Sequence, residues 1–96
     1  MADRFHEILA ELGALHDKKA KDYGHGDDPY TNVRASAAWD IPPWIGVMIR
    51  LNDKIIRLQS LAQKGVLANE SAEDSLRDIA VYAVIALLLF EEEKSR

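Results

Sequence analysis

Twelve consecutive apolar residues, IAVYAVIALLLF at positions 79–90, constrain this chain more than anything else in it. Wound as a helix, the run carries hydrophobic side chains at every angle round its axis, and a helix apolar on all sides has to be covered on all sides. A bilayer does not supply the cover, because spanning one takes about 20 apolar residues. Two partner helices drawn from 96 residues cannot easily enclose a third. One face is therefore assigned to another subunit, so a homo-oligomer is expected. The alternative is that a first helix and the segment 30–39 wrap the run together.

The rest of the sequence is that of a folded protein. Apolar residues make up 48% and charged residues 29%, with only 5 Gly and 3 Pro, and the length suits a single domain over 1–96 that buries about two-thirds of its unfolded surface. Without cysteine there is neither a disulfide nor a thiolate metal site, and nothing points to an oxidising compartment. The opening Met1-Ala2-Asp3-Arg4 lacks the basic and apolar regions of a secretory signal, so a cytoplasmic protein without a membrane partner is expected. A net charge of -4 argues against general nucleic-acid binding, which relies on a basic face to displace counterions.

Periodicity predicts an all-α fold with three main helices. Phe5, Ile8, Leu9, Leu12 and Leu15 repeat at helical spacing and predict a first helix over about 3–21. It breaks at Asp22-Tyr23-Gly24-His25-Gly26-Asp27-Asp28-Pro29. A loop or short helix is expected over 23–42, capped by Thr31 or Asn32 if helical. Ile41-Pro42-Pro43 forces an extended approach, and Pro43 is suited to open a second helix over about 43–64. Its positions Trp44, Met48, Leu51, Ile55, Leu58 and Leu61 make the seam of an antiparallel helix pair, and Gly65 closes it. Asn69 or Ser71 can cap a third helix over about 70–92, with Glu73 and Asp74 complementing its dipole. The expected architecture is an oligomeric antiparallel helical bundle with a solvated tail at 91–96.

Three groups of residues have chemical potential, each with a plainer explanation beside it. Glu70, Asp74 and Asp78 are four apart and line one helix face, where they can hold a divalent cation, pair with basic side chains, or simply favour the helix start. Asp78 is the least ordinary, lying directly against the apolar run. Arg50, Asp53, Lys54 and Arg57 share one side of the second helix, which suits ion pairing with Asp74 and Asp78 or a phosphate clamp. Lys18-Lys19-Ala20-Lys21-Asp22-Tyr23-Gly24 sets an aromatic among lysines where the first helix ends. That pattern suits stacking a base while neutralising its phosphate, although lysines there also satisfy the dipole. His16-Asp17 lacks the separate ligands of a histidine-aspartate phosphohydrolase, and no P-loop, dinucleotide fingerprint or Ser/His/Asp arrangement is present.

In order, these segments are Lys18-x-x-Lys21-Asp22-Tyr23-Gly24, then Met48-Ile49-Arg50-Leu51-x-Asp53-Lys54-x-x-Arg57-Leu58-x-Ser60-Leu61, then Asn69-Glu70-Ser71-x-x-Asp74-Ser75-Leu76-x-Asp78-Ile79-Ala80-x-Tyr82-Ala83. The succession, within about 12–88, resembles the nucleotide modification associated domain found mostly in bacteriophages. That resemblance implies an all-helical phage protein in the host cytoplasm, connected to nucleotide chemistry, with these segments as ligand or metal residues. The pattern is distantly similar to the all-α nucleoside triphosphate pyrophosphohydrolases, whose Glu-x-x-Glu and Glu-x-x-Asp pairs hold magnesium. The chain departs from them: its second helix offers only Asp53, and Ser75 stands three before Asp78.

The expected function is binding of a nucleotide or nucleotide-derived ligand, without a cofactor, through Lys18, Lys21, Asp22, Tyr23, Arg50, Asp53, Lys54 and Arg57. Sequestration of a host immune signal, an anti-defence role, would be one use of it. The alternatives are a magnesium-dependent nucleotide pyrophosphohydrolase or modification enzyme using Glu70, Asp74 and Asp78, and a structural accessory subunit. An excess of cations over acids in the first two segments favours binding.

Overall fold

In a computed structural model of the chain, residues 3–23, 30–65 and 71–95 are described, and all regular structure among them is helical. The elements are α1 (Arg4–Tyr23), α2 (Thr31–Arg34), a 3-10 turn (Ala35–Trp39), α3 (Pro43–Lys64) and α4 (Ala72–Lys94). None of the described helices is long and apolar enough to cross a membrane.

The helix ends follow local chemistry. Asp3 caps α1, its Oδ1 accepting the His6 N–H at 2.8 Å, and this bond, followed by the one from the His6 ring, holds the Asp3 carboxyl below its ordinary value of 3.8. α1 runs to Tyr23, two residues past the expected end. Pro43 opens α3, and Gly65 closes it at φ 80°, its N–H donating to the Leu61 carbonyl at 2.7 Å. Of the two candidate caps of α4, Ser71 is used, its Oγ accepting the Asp74 N–H at 3.1 Å, so the helix starts at Ala72 and not at 70. Asn69 lies outside the described residues.

The connection over 30–42 departs from expectation. Neither Thr31 nor Asn32 caps α2; the cap position is Tyr30, with no side-chain bond. The chain then tightens into the 3-10 turn and leaves it through Asp40, which adopts the left-handed φ of 61° usually taken by glycine. Asp40 N–H donates to Ala37 O at 3.1 Å and Ile41 N–H to Ser36 O at 3.2 Å, which satisfies the carbonyls at the turn's end. This connector lies hard against α3, where a Cβ added to Gly46 would sit 2.6 Å from Ser36 Oγ.

α3 and α4 run in opposite directions, for Trp44 near the start of one meets Phe90 near the end of the other, edge to face at 5.2 Å. Between them lie Val47, fully buried, with Ile85, Ala86 and Leu89. The expected seam of α3 needs correction: Met48 is exposed and Val47 takes its place. The buried side reads Trp44, Val47, Leu51, Lys54, Ile55, Leu58 and Leu61, so five of the six predicted positions hold and a lysine lies among them.

Much apolar surface stays open. Phe5 and Leu9 on α1, Leu76, Val84 and Leu87 on α4, and Trp39 are all exposed. The total accessible surface is 7093 Å², about 1,500 Å² more than the roughly 5,500 Å² usual for a monomer of 10.8 kDa.

Candidate functional site

Asp78 is where α1, α3 and α4 meet. It belongs to the face of α4 turned to α3, three residues after the fully buried Ser75 and four before Tyr82. Its Oδ2 lies 3.0 Å from Lys54 Nζ on α3, and its Oδ1 lies 3.1 Å from Lys19 Nζ on α1. The Lys54 and Asp78 side chains keep only 16% and 15% of their exposure, while Lys19 keeps 49%. Apolar seam residues on either side desolvate the Lys54–Asp78 pair, which makes the attraction between the two charges stronger than at a surface. The Asp78 carboxylate thus sits between two ammonium groups, and Lys19 is the one that opens to water.

The other predicted residues are distributed round this point. Lys18 is exposed on α1. Lys21, Asp22 and Tyr23 lie in the last turn of α1, but their side chains are outside the described residues. Arg50, Asp53 and Arg57 are exposed along α3, and Arg50 donates to the Asn32 carbonyl at 3.4 Å. Lys54 thus turns inward while its neighbours at 50, 53 and 57 remain outside.

Of the acidic stripe, Asp74 and Asp78 are described, and they meet different partners. Glu70 is outside the described residues, and Asp74 is exposed and paired with Arg77 of its own helix at 3.4 Å. Pairing of the α3 cations with Asp74 is therefore not observed, whereas pairing with Asp78 is. Among the described residues no three His, Asp or Glu side chains are grouped so as to hold a metal ion.

Two features were missed from the sequence. Lys19 continues the Leu12, Leu15, His16 side of α1 by one more turn, and that spacing is the signal that sets it apart from the rest of the basic run. The second is a relay of side chains with no local signature. The His16 ring stacks on Tyr30 at 5.6 Å, Arg34 lies 6.0 Å from the Tyr30 ring, and Arg34 makes a two-pronged pair with Glu92 at 2.8 and 3.2 Å. It ties α1, the connector and the end of α4 together. Beside it runs an apolar groove of about 190 Å³, between Leu9, Leu12 and Gly13 on α1 and Ala80, Val81, Val84 and Leu88 on α4.

Comparison with protein-family models, curated proteins and solved structures gives no match to this chain.

Proposed function

We propose that the protein binds a nucleotide-like ligand through its phosphate at the junction of α1, α3 and α4, and works as a homo-oligomer. The observation that carries this reading is the Lys19–Asp78–Lys54 bridge. Lys54 and Asp78 stand at positions that carry the resemblance to the phage nucleotide modification associated domain, and Lys19 lies between Lys18 and Lys21 of its first segment. Asp78 orients Lys54, and the pair is too shielded to open easily. Lys19 is different: a half-exposed ion pair is worth at most about 1 kcal/mol, so a phosphate can draw its ammonium away from Asp78 at little cost. Lys18 on α1 and the forked donor of Arg57 on α3 are exposed on either side, and Tyr23 follows one turn after Lys19 as the residue to stack a base.

Homo-oligomerisation, with an antiparallel helical bundle completed by a second copy, is supported by the surplus of exposed surface and by the exposed leucines and valine of α4. Binding of this kind requires no cofactor. Magnesium would enter only if the ligand were hydrolysed.

Isothermal titration calorimetry with linear and cyclic mono- and dinucleotides tests the reading. At least one should bind with a Kd in the micromolar range or tighter, and Lys19→Ala with Arg57→Ala should weaken it by about tenfold or more, which corresponds to about 1.4 kcal/mol. Absence of binding by every nucleotide, or binding indifferent to both substitutions, would overturn it. Magnesium-dependent turnover of the bound nucleotide would replace sequestration with hydrolysis.

A further inference from the structure

α4 carries three stripes, each stepping alternately by three and four residues. Ser75, Asp78, Tyr82, Ile85 and Leu89 face α3 and are occupied by it. Val81, Val84 and Leu88 border the groove beside α1. The third stripe is Leu76, Ala80, Ala83, Leu87 and Phe90: Ala80 also borders the groove and Phe90 meets Trp44 at the far end, but Leu76 is 57% and Leu87 59% exposed, and Ala83 is exposed between them. From the helical repeat, this stripe points about 100–140° away from the one that meets α3.

We infer that the third stripe is the core of a homodimer contact in which α4 packs antiparallel against α4 of a second copy. This rests on the reading that the chain self-associates, and adds which face does so and in which direction. A second copy is the occupant for three reasons. The chain exposes about 1,500 Å² beyond the norm for its mass, and a standard interface hides about 800 Å² per partner, so one such contact fits within the surplus. A 4-3-4-3 spacing is the pattern that interdigitates with a copy of itself at a shallow crossing angle. A two-fold axis passing between Ala80 and Ala83 makes the stripe self-complementary, setting Leu76 of each copy against Leu87 of the other, with the alanines at the crossing where the backbones come closest.

Direction follows from the helix dipoles, which a parallel pair would align and an antiparallel pair opposes.

The chain has no cysteine, so single introduced thiols report this geometry directly. Leu76→Cys and Leu87→Cys variants, mixed and oxidised, should form a disulfide-linked dimer, whereas each variant alone should not. Efficient cross-linking of either variant with itself would overturn the antiparallel arrangement. Light scattering should give a mass twice 10.8 kDa for the wild type and a helical monomer for Leu87→Glu, with Val84→Glu, on the groove side, still a dimer. A wild type that stays monomeric at about 100 µM overturns self-association and this contact together, since such concentrations exceed the Kd of ordinary specific dimers. An oligomer indifferent to Leu76→Glu and Leu87→Glu overturns this contact while leaving self-association in place.

Discussion

Replacing Asp78 by Asn removes a charge that faces Lys54 at 3.0 Å but keeps the side-chain shape, and the expected cost is read from the burial of the pair. Breaking a fully buried ion pair by neutralising one partner costs about 3–5 kcal/mol, because the remaining charge stays in a poorly solvated place. Lys54 retains 16% of its exposure and so some access to water, which lowers the expectation to about 2–3 kcal/mol. For a domain of this size that is a fall in Tm of roughly 8–24 °C. Lys19→Ala severs the other arm of the same bridge but should cost no more than about 1 kcal/mol, since Lys19 is 49% exposed and can be solvated. Replacing both buried partners, Lys54→Met with Asp78→Leu, should be less harmful than Asp78→Asn alone, because no charge is stranded. Urea denaturation followed by circular dichroism measures all four proteins. Asp78→Asn within about 0.5 kcal/mol of wild type, or a double variant no better than the single one, would refute the placement of this pair within the α3–α4 seam.

Three further outcomes are expected. Val47→Ala should destabilise by about 2 kcal/mol, the worth of a fully buried valine, whereas the adjacent Met48→Ala should change stability by less than about 0.5 kcal/mol; equal effects in chemical denaturation would contradict the seam. Gly46→Ala should cost about 1–3 kcal/mol by driving a methyl group into Ser36, which donates to the Ile41 carbonyl, and Ser36→Gly should recover part of it in the same assay. Because the folded-state value of Asp3 is lowered, its contribution to α1 is present above the ordinary 3.8 and lost as pH falls through the lowered value. Exchange protection of the His6 amide, followed by NMR, should therefore fall on acidification below about pH 4 in the wild type but not in Asp3→Asn, and a pH-independent wild type would count against the cap.

Helix type and extent were legible because they are local properties. Spacing at 3.6 residues, Pro43 at the first position, Gly65 past the last and Ser71 before Ala72 each act within one or two turns of chain, and each is found where it was expected. The left-handed Asp40 was not legible, since its conformation is imposed by the packing of the connector on α3 and its residue type does not require it.

The site divides in the same way. Composition and spacing by themselves determined that the chain is helical and that Asp78 stands apart from the other acids by adjoining the apolar run 79–90. Only the tertiary structure decided which of two neighbouring stripes of α3 turns inward, and with it that Val47 replaces Met48, that Lys54 leaves the basic face to meet Asp78, and that Lys19 joins them from α1. Two stripes on one helix can be nearly equal in hydrophobicity, so rotation about the axis is set by what the opposite helix offers. Here that is a carboxylate whose burial is tolerable only with an ammonium group beside it.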